Sequence, residues 1–110
     1  MHDMCARLLA AALAVAVSTT VASAQDAQIG RGKRIVEQNC ARCHAVAQAG
    51  DSPLKRAPPF RDLSRRYPLE SLAEALAEGI VTGHNEMPMF RFMPDEIDAI
   101  LSYIGSISKR

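Results

Sequence analysis

The 110-residue sequence predicts an all-α domain, and three observations carry that expectation. Apolar residues recur at spacings of three and four in two late segments, as one face of a helix requires. No stretch alternates apolar and polar residues in the manner of a half-buried strand. Loops rich in proline and glycine separate the periodic segments, and no internal repeat or low-complexity tract is present. The length suffices for one domain.

The first element stands apart from that domain. Met1-His2-Asp3-Met4-Cys5-Ala6-Arg7 is followed by an apolar run from Leu8 to Val17 and a small-x-small ending at Ala22-Ser23-Ala24. A charged start, a short apolar run and such an ending make a secretory signal peptide, residues 1–24, cut after Ala24. Its apolar part falls short of the roughly 18 to 20 residues that cross a bilayer, so no stable membrane span is expected after cleavage. The mature domain is then 25–110, and it retains two cysteines, Cys40 and Cys43.

The segment Gln28 to Asn39 reads as the first helix of the domain, with Ile29, Ile35 and Val36 as apolar candidates. Gly32 costs about 1 kcal/mol in a helix interior and so hints at a close helix crossing. From Ala49 to Arg66 the chain is a loop, because Ala57-Pro58-Pro59-Phe60 cannot be helical, with a short helical turn at Asp62 to Arg65. Pro68 to Gly79 is a helix: proline suits the first position, glycine suits the stop, and Leu69, Leu72, Ala73 and Leu76 share a face. Ile80 to Met93 is again loop. The last helix starts at Pro94-Asp95-Glu96, with acids near its N-terminus, carries Ile97, Ile100, Leu101, Ile104 and Ile107 at spacings of three and four, and is amphipathic to about Ser106. Met93 is a poor residue for its N-cap.

Chemistry concentrates at Cys40-Ala41-Arg42-Cys43-His44, the Cys-x-x-Cys-His sequence of c-type haem attachment. Two thiols three positions apart on a helical turn can each bond one vinyl group of the same porphyrin, and the adjacent imidazole can reach the iron. Export agrees with this reading, since in an oxidising compartment two spare thiols would otherwise be a disulfide candidate. A domain of this size has a small core and needs a staple. A covalent macrocycle supplies one, and would fill the space that large aromatics usually occupy: the chain has three Phe, two Tyr and no Trp. A thioredoxin-like dithiol would want a βαβ context that is missing. A zinc site would have at best Cys40, Cys43 and His84, one ligand short of a closed structural site.

Charge is distributed unevenly. Basic residues dominate from Arg31 to Arg66, acids from Glu70 to Asp98, so the molecule carries a dipole that can orient a charged partner. No basic stripe with interleaved aromatics suggests nucleic acid.

A helix ending in Cys40-x-x-Cys43-His44, a proline-containing loop, the pair Met87-Pro88 and a final helix carrying Tyr103 together resemble the class I monohaem cytochromes c, over essentially the whole mature chain. The resemblance implies a small cytochrome c fold around one covalent haem c, with first and last helices crossing where Gly32 and Tyr103 meet. It implies Cys40 and Cys43 as thioether sites, His44 as proximal iron ligand and a loop methionine as distal ligand. Met87 is favoured because Pro88 follows it and stiffens the loop; Met89 and His84 are the competitors. A proline carbonyl accepting from the proximal imidazole is implied as well, with Pro58 preferred over Pro59. The interval from His44 to Met87 is shorter than in the mitochondrial type, which points to a compact bacterial form.

The expected function is periplasmic transfer of single electrons through a His/Met-ligated haem, without enzymatic activity, to and from redox proteins met transiently. The alternative is a small-ligand-binding or catalytic haem c subunit of a larger oxidoreductase.

Overall fold

The computed structural model describes residues 2–79 and 86–108, with side chains from Thr20 onward. The described residues hold helices and loops and no strand: α1 (His2–Asn39), a 3-10 turn (Phe60–Asp62), α2 (Leu63–Arg66), α3 (Leu69–Glu78) and α4 (Pro94–Ile107). No described helix is long and apolar enough to cross a membrane.

Helix α1 begins far ahead of the expected Gln28. The reason is local: the leader is rich in alanine and holds no glycine or proline before Gly30, so nothing in it stops a helix. Packing tells a different story from hydrogen bonding. Side chains 20–28 are exposed, and burial starts at Ile29, which packs against the core. The part of α1 that contributes to the domain is therefore the predicted segment.

The core lies where α1 crosses α4. A Cβ at Gly32 would sit 1.9 Å from the Ala99 carbonyl oxygen and 2.9 Å from Tyr103 Cβ, so the two backbones meet at a distance only glycine allows. Around that point Val36, Ile100, Tyr103, Ile104 and Ile107 are buried together, joined by Phe60 and Leu63 from the 3-10 turn and α2. Each such aliphatic side chain contributes about 1.5–3 kcal/mol on leaving water. The Tyr103 hydroxyl donates to the Val46 carbonyl at 2.6 Å and fastens the loop after α1 onto α4. At the rim, Arg31 Nη2 donates to Asp95 Oδ2 at 2.7 Å.

Helix α4 starts as expected, with Pro94 in its first turn. Met93 brings no good cap of its own, but the Glu96 carboxylate accepts from the Met93 N–H at 2.9 Å, which ties down the helix start. The short turn predicted at Asp62 to Arg65 is a 3-10 turn followed by α2, one residue longer at its end. Its start is set by Pro59, extended at φ −60°, ψ 140°.

Helix α3 follows Pro68 directly and stops at Gly79, whose φ of 98° is open to glycine at little cost. None of its residues is fully buried. Leu69, Leu72 and Leu76 touch the edge of the core, and the Leu76 carbonyl accepts from the Phe92 N–H at 3.1 Å, which draws the segment before α4 alongside.

Candidate functional site

The Cys-x-x-Cys-His segment continues the helical winding of α1 as tight turns. Cys40 N–H donates to Val36 at 2.8 Å, Cys43 N–H to Cys40 at 3.1 Å and His44 N–H to Cys40 at 2.9 Å. Both thiols are half-buried and unbridged. Burial pushes the Cys40 thiol up from 9.0 to about 11. A nucleophilic or zinc-binding cysteine needs the opposite shift, toward thiolate, so the environment is that of an apolar thiol. No group of three His, Cys, Asp or Glu able to hold a metal ion occurs among the described residues.

After the motif the chain is folded back by three contacts. Ala45 N–H donates to Ser52 Oγ at 2.9 Å, Leu54 N–H to the Cys43 carbonyl at 3.1 Å, and Phe60 N–H to the Ala45 carbonyl at 2.9 Å. This return brings the Pro58 carbonyl oxygen 2.8 Å from His44 Nδ1. A carbonyl only accepts, so Nδ1 carries the proton and Nε2 keeps a free lone pair. The Phe60 ring leans on the imidazole, with centroids 5.1 Å apart and planes tilted by 53°. His44 is thus fixed in tautomer and in rotation.

Beside it opens a cavity of about 990 Å³, at the upper end of the size usual for cofactor sites. Cys40, Cys43, His44, Pro58 and Met87 all line it. Leu72, Ala75 and Leu76 of α3 and Ile100 and Ile104 of α4 add apolar surface, and Phe90 and Phe92, stacked at 5.7 Å, add two rings. Arg42, Arg56 and Arg66 bring positive charge to the same lining. Met89 is outside it, 60% exposed, with its Cγ 2.9 Å from where a Cβ on Gly79 would be. Pro59 is half-buried and does not line the cavity, and His84 lies outside the described residues.

Two thiols at this spacing, a histidine with one nitrogen free toward the cavity and a roomy apolar lining fit haem c. The family model described as cytochrome c oxidase, cbb3-type, subunit III matches residues 27–104. The chain belongs to this family of c-type cytochromes. It is also 34% identical, over 95 residues, to a cytochrome c-552 of Bradyrhizobium diazoefficiens, a match covering 86% of this chain and 89% of the relative. No solved structure matches. The cytochrome is accordingly an all-α haem protein of electron transfer, and its cofactor is covalently bound haem c.

Several residues lining the site were not foreseen. Phe60 could have been suspected from its place directly after Pro58-Pro59, where a stiff extended pair aims the next side chain inward. Arg56, Arg66, Tyr67 and the Phe90/Phe92 pair carry no spacing signal, because each comes from a loop or a short helix whose path the long-range contacts decide.

Proposed function

We propose that this cytochrome is a periplasmic electron carrier whose iron is held by His44 and Met87. The observation that carries the reading is that both thiols, His44 and Met87 line one cavity while Met89 stands outside it. Haem c, when bound, would supply a one-electron ferric/ferrous couple, and ligation by an imidazole and a thioether would favour its ferrous side. The protein residues do the rest. Cys40 and Cys43 tether the macrocycle; Pro58 holds the Nδ1 proton of His44, which aims Nε2 and raises its basicity. Pro88 biases the Met87 backbone toward extended conformations and so limits the paths by which the sulfur could leave. Leu72, Leu76, Ile100 and Ile104 keep water from the site.

Export fits the same picture. Residues 1–24 act as a cleaved signal peptide, and the onset of packing at Ile29 supports a mature domain of residues 25–110. Partners are redox proteins met transiently, oriented by the basic first half and acidic second half of the chain.

The ligand assignment is tested by carbon monoxide binding to the ferrous holoprotein. The wild type should bind it slowly and incompletely at neutral pH. Met87→Ala should bind it rapidly and show a lowered reduction potential, and Met89→Ala should behave as wild type. Rapid binding to the wild type, or an open site in the Met89 variant alone, would refute the assignment.

The family description supports a second reading, in which the same haem domain serves as a subunit of a larger oxidase. Native electrophoresis of host membranes, stained for haem, separates the two: co-migration with an oxidase complex favours the subunit, a small free species the carrier.

A further inference from the structure

Among the described ion pairs, Arg31–Asp95 joins α1 to α4, Lys33–Glu37 lies within α1, and Arg65–Asp62 links the 3-10 turn to α2. The fourth is different in kind. Arg56 and Glu86 form an ion pair, both line the haem cavity, and both side chains are about half exposed, which puts the pair at the cavity rim. Arg56 stands two residues before Pro58, whose carbonyl holds His44; Glu86 directly precedes Met87. One contact thus bridges the loop that holds His44 in place and the loop that carries Met87.

We propose that the Arg56–Glu86 pair is a strap that holds the Met87 loop closed over the haem, making Arg56 and Glu86 positioning residues for the distal ligand. The proposal rests on the reading of Met87 as that ligand. The argument is one of leverage. Pro88 stiffens the chain on the far side of Met87, whereas Glu86 is anchored to the opposite loop through Arg56. For the sulfur to swing away from the iron, the backbone at residues 86 and 87 has to move, and that movement separates Glu86 from Arg56. A half-exposed pair is weak, so the effect on loop opening is modest, about two- to five-fold. It is also screened by salt.

The test uses the ferric holoprotein and imidazole as an entering ligand. At saturating imidazole the binding rate reaches a ceiling equal to the rate at which the methionine leaves. Arg56→Gln and Glu86→Gln should each raise that ceiling two- to five-fold at low ionic strength. The double variant should rise no further than either single one. The exchanged pair, Arg56→Glu with Glu86→Arg, should return toward wild type. High salt should lift the wild-type ceiling to that of the variants and leave theirs unchanged. Unchanged ceilings in the single variants, or additive effects, would overturn the strap. So would an Arg56 effect with a silent Glu86, which would assign Arg56 to the carboxylates of the haem instead. Met87→Ala should abolish the ceiling altogether. If it kept the wild-type ceiling, the ligand assignment would be wrong irrespective of how Arg56 and Glu86 behave, and the strap would fall with it.

Discussion

The α1–α4 crossing and the α3 side of the molecule are both built from amphipathic helices, yet they are finished differently. At the crossing, protein meets protein: Gly32 lies against Ala99 and Tyr103, and Val36, Ile100 and Ile104 are almost entirely removed from water. Helix α3 has an equally clear apolar face, but no residue of it is fully buried, and Leu72, Ala75 and Leu76 line the cavity. Haem c bound in that cavity would cover the part of the α3 face that the core leaves open. One half of the fold is closed by its own side chains, and the other faces the cavity that haem c would fill.

The sharpest way to break the first half is Gly32→Ala. Alanine gains about 1 kcal/mol over glycine in helix propensity, but its methyl would lie 1.9 Å from a backbone oxygen that cannot rotate away. Overpacking costs typically 1–3 kcal/mol and more where backbone must shift. The clash wins, and we expect a net loss of about 3 kcal/mol of global stability in the holoprotein, read by denaturant unfolding. A variant as stable as wild type would show that the crossing is looser than its geometry.

Leu72→Ala probes the second half. A half-buried leucine facing a cofactor loses less than one in a sealed core, so about 1–2 kcal/mol is expected. The loss should be local. Native-state amide exchange should show residues 69–78 opening more readily in the variant, with α4 protection nearly unchanged. Equal acceleration in α4 would mean that the two halves open as one unit.

This division also explains what could be read from the chain. Helix α4 and the role of Gly32 were legible because periodic apolar residues and a helix-interior glycine both report protein-protein packing. The Cys-x-x-Cys-His motif was legible because three residues in five carry it. The extent of α1 was not: an alanine-rich leader satisfies helix propensity whether or not it packs, and only the onset of burial at Ile29 marks where α1 begins to pack. The α3 stripe predicted burial correctly as a tendency, but no periodicity says whether protein or cofactor will cover it. Met87 and Met89 stand two positions apart in sequence, yet only Met87 lines the cavity. Arg56 and Glu86 were invisible as a pair, because surface charges carry no register and only the closed loops bring them together.

The smallest effect tests whether the crossing owes anything to its polar rim. The Arg31 guanidinium hydrogen-bonds the Asp95 carboxylate and holds its pKa below the ordinary 3.8, against a smaller opposing effect of desolvation. A carboxylate depressed in the folded state contributes stability that is present above the unfolded pKa and lost as pH falls through the folded one. Asp95 also lies in the first turn of α4, where negative charge is favoured. Asp95→Asn should therefore be slightly less stable than wild type at neutral pH, and the gap should close as pH falls below the ordinary carboxylate range and through the depressed pKa of the folded wild type. Both side chains are largely exposed, so the gap should also shrink with salt. A difference that stays constant from neutral pH to pH 2 would mean that the variant acts through packing, and that even the rim of the α1–α4 crossing is governed by shape and not by charge.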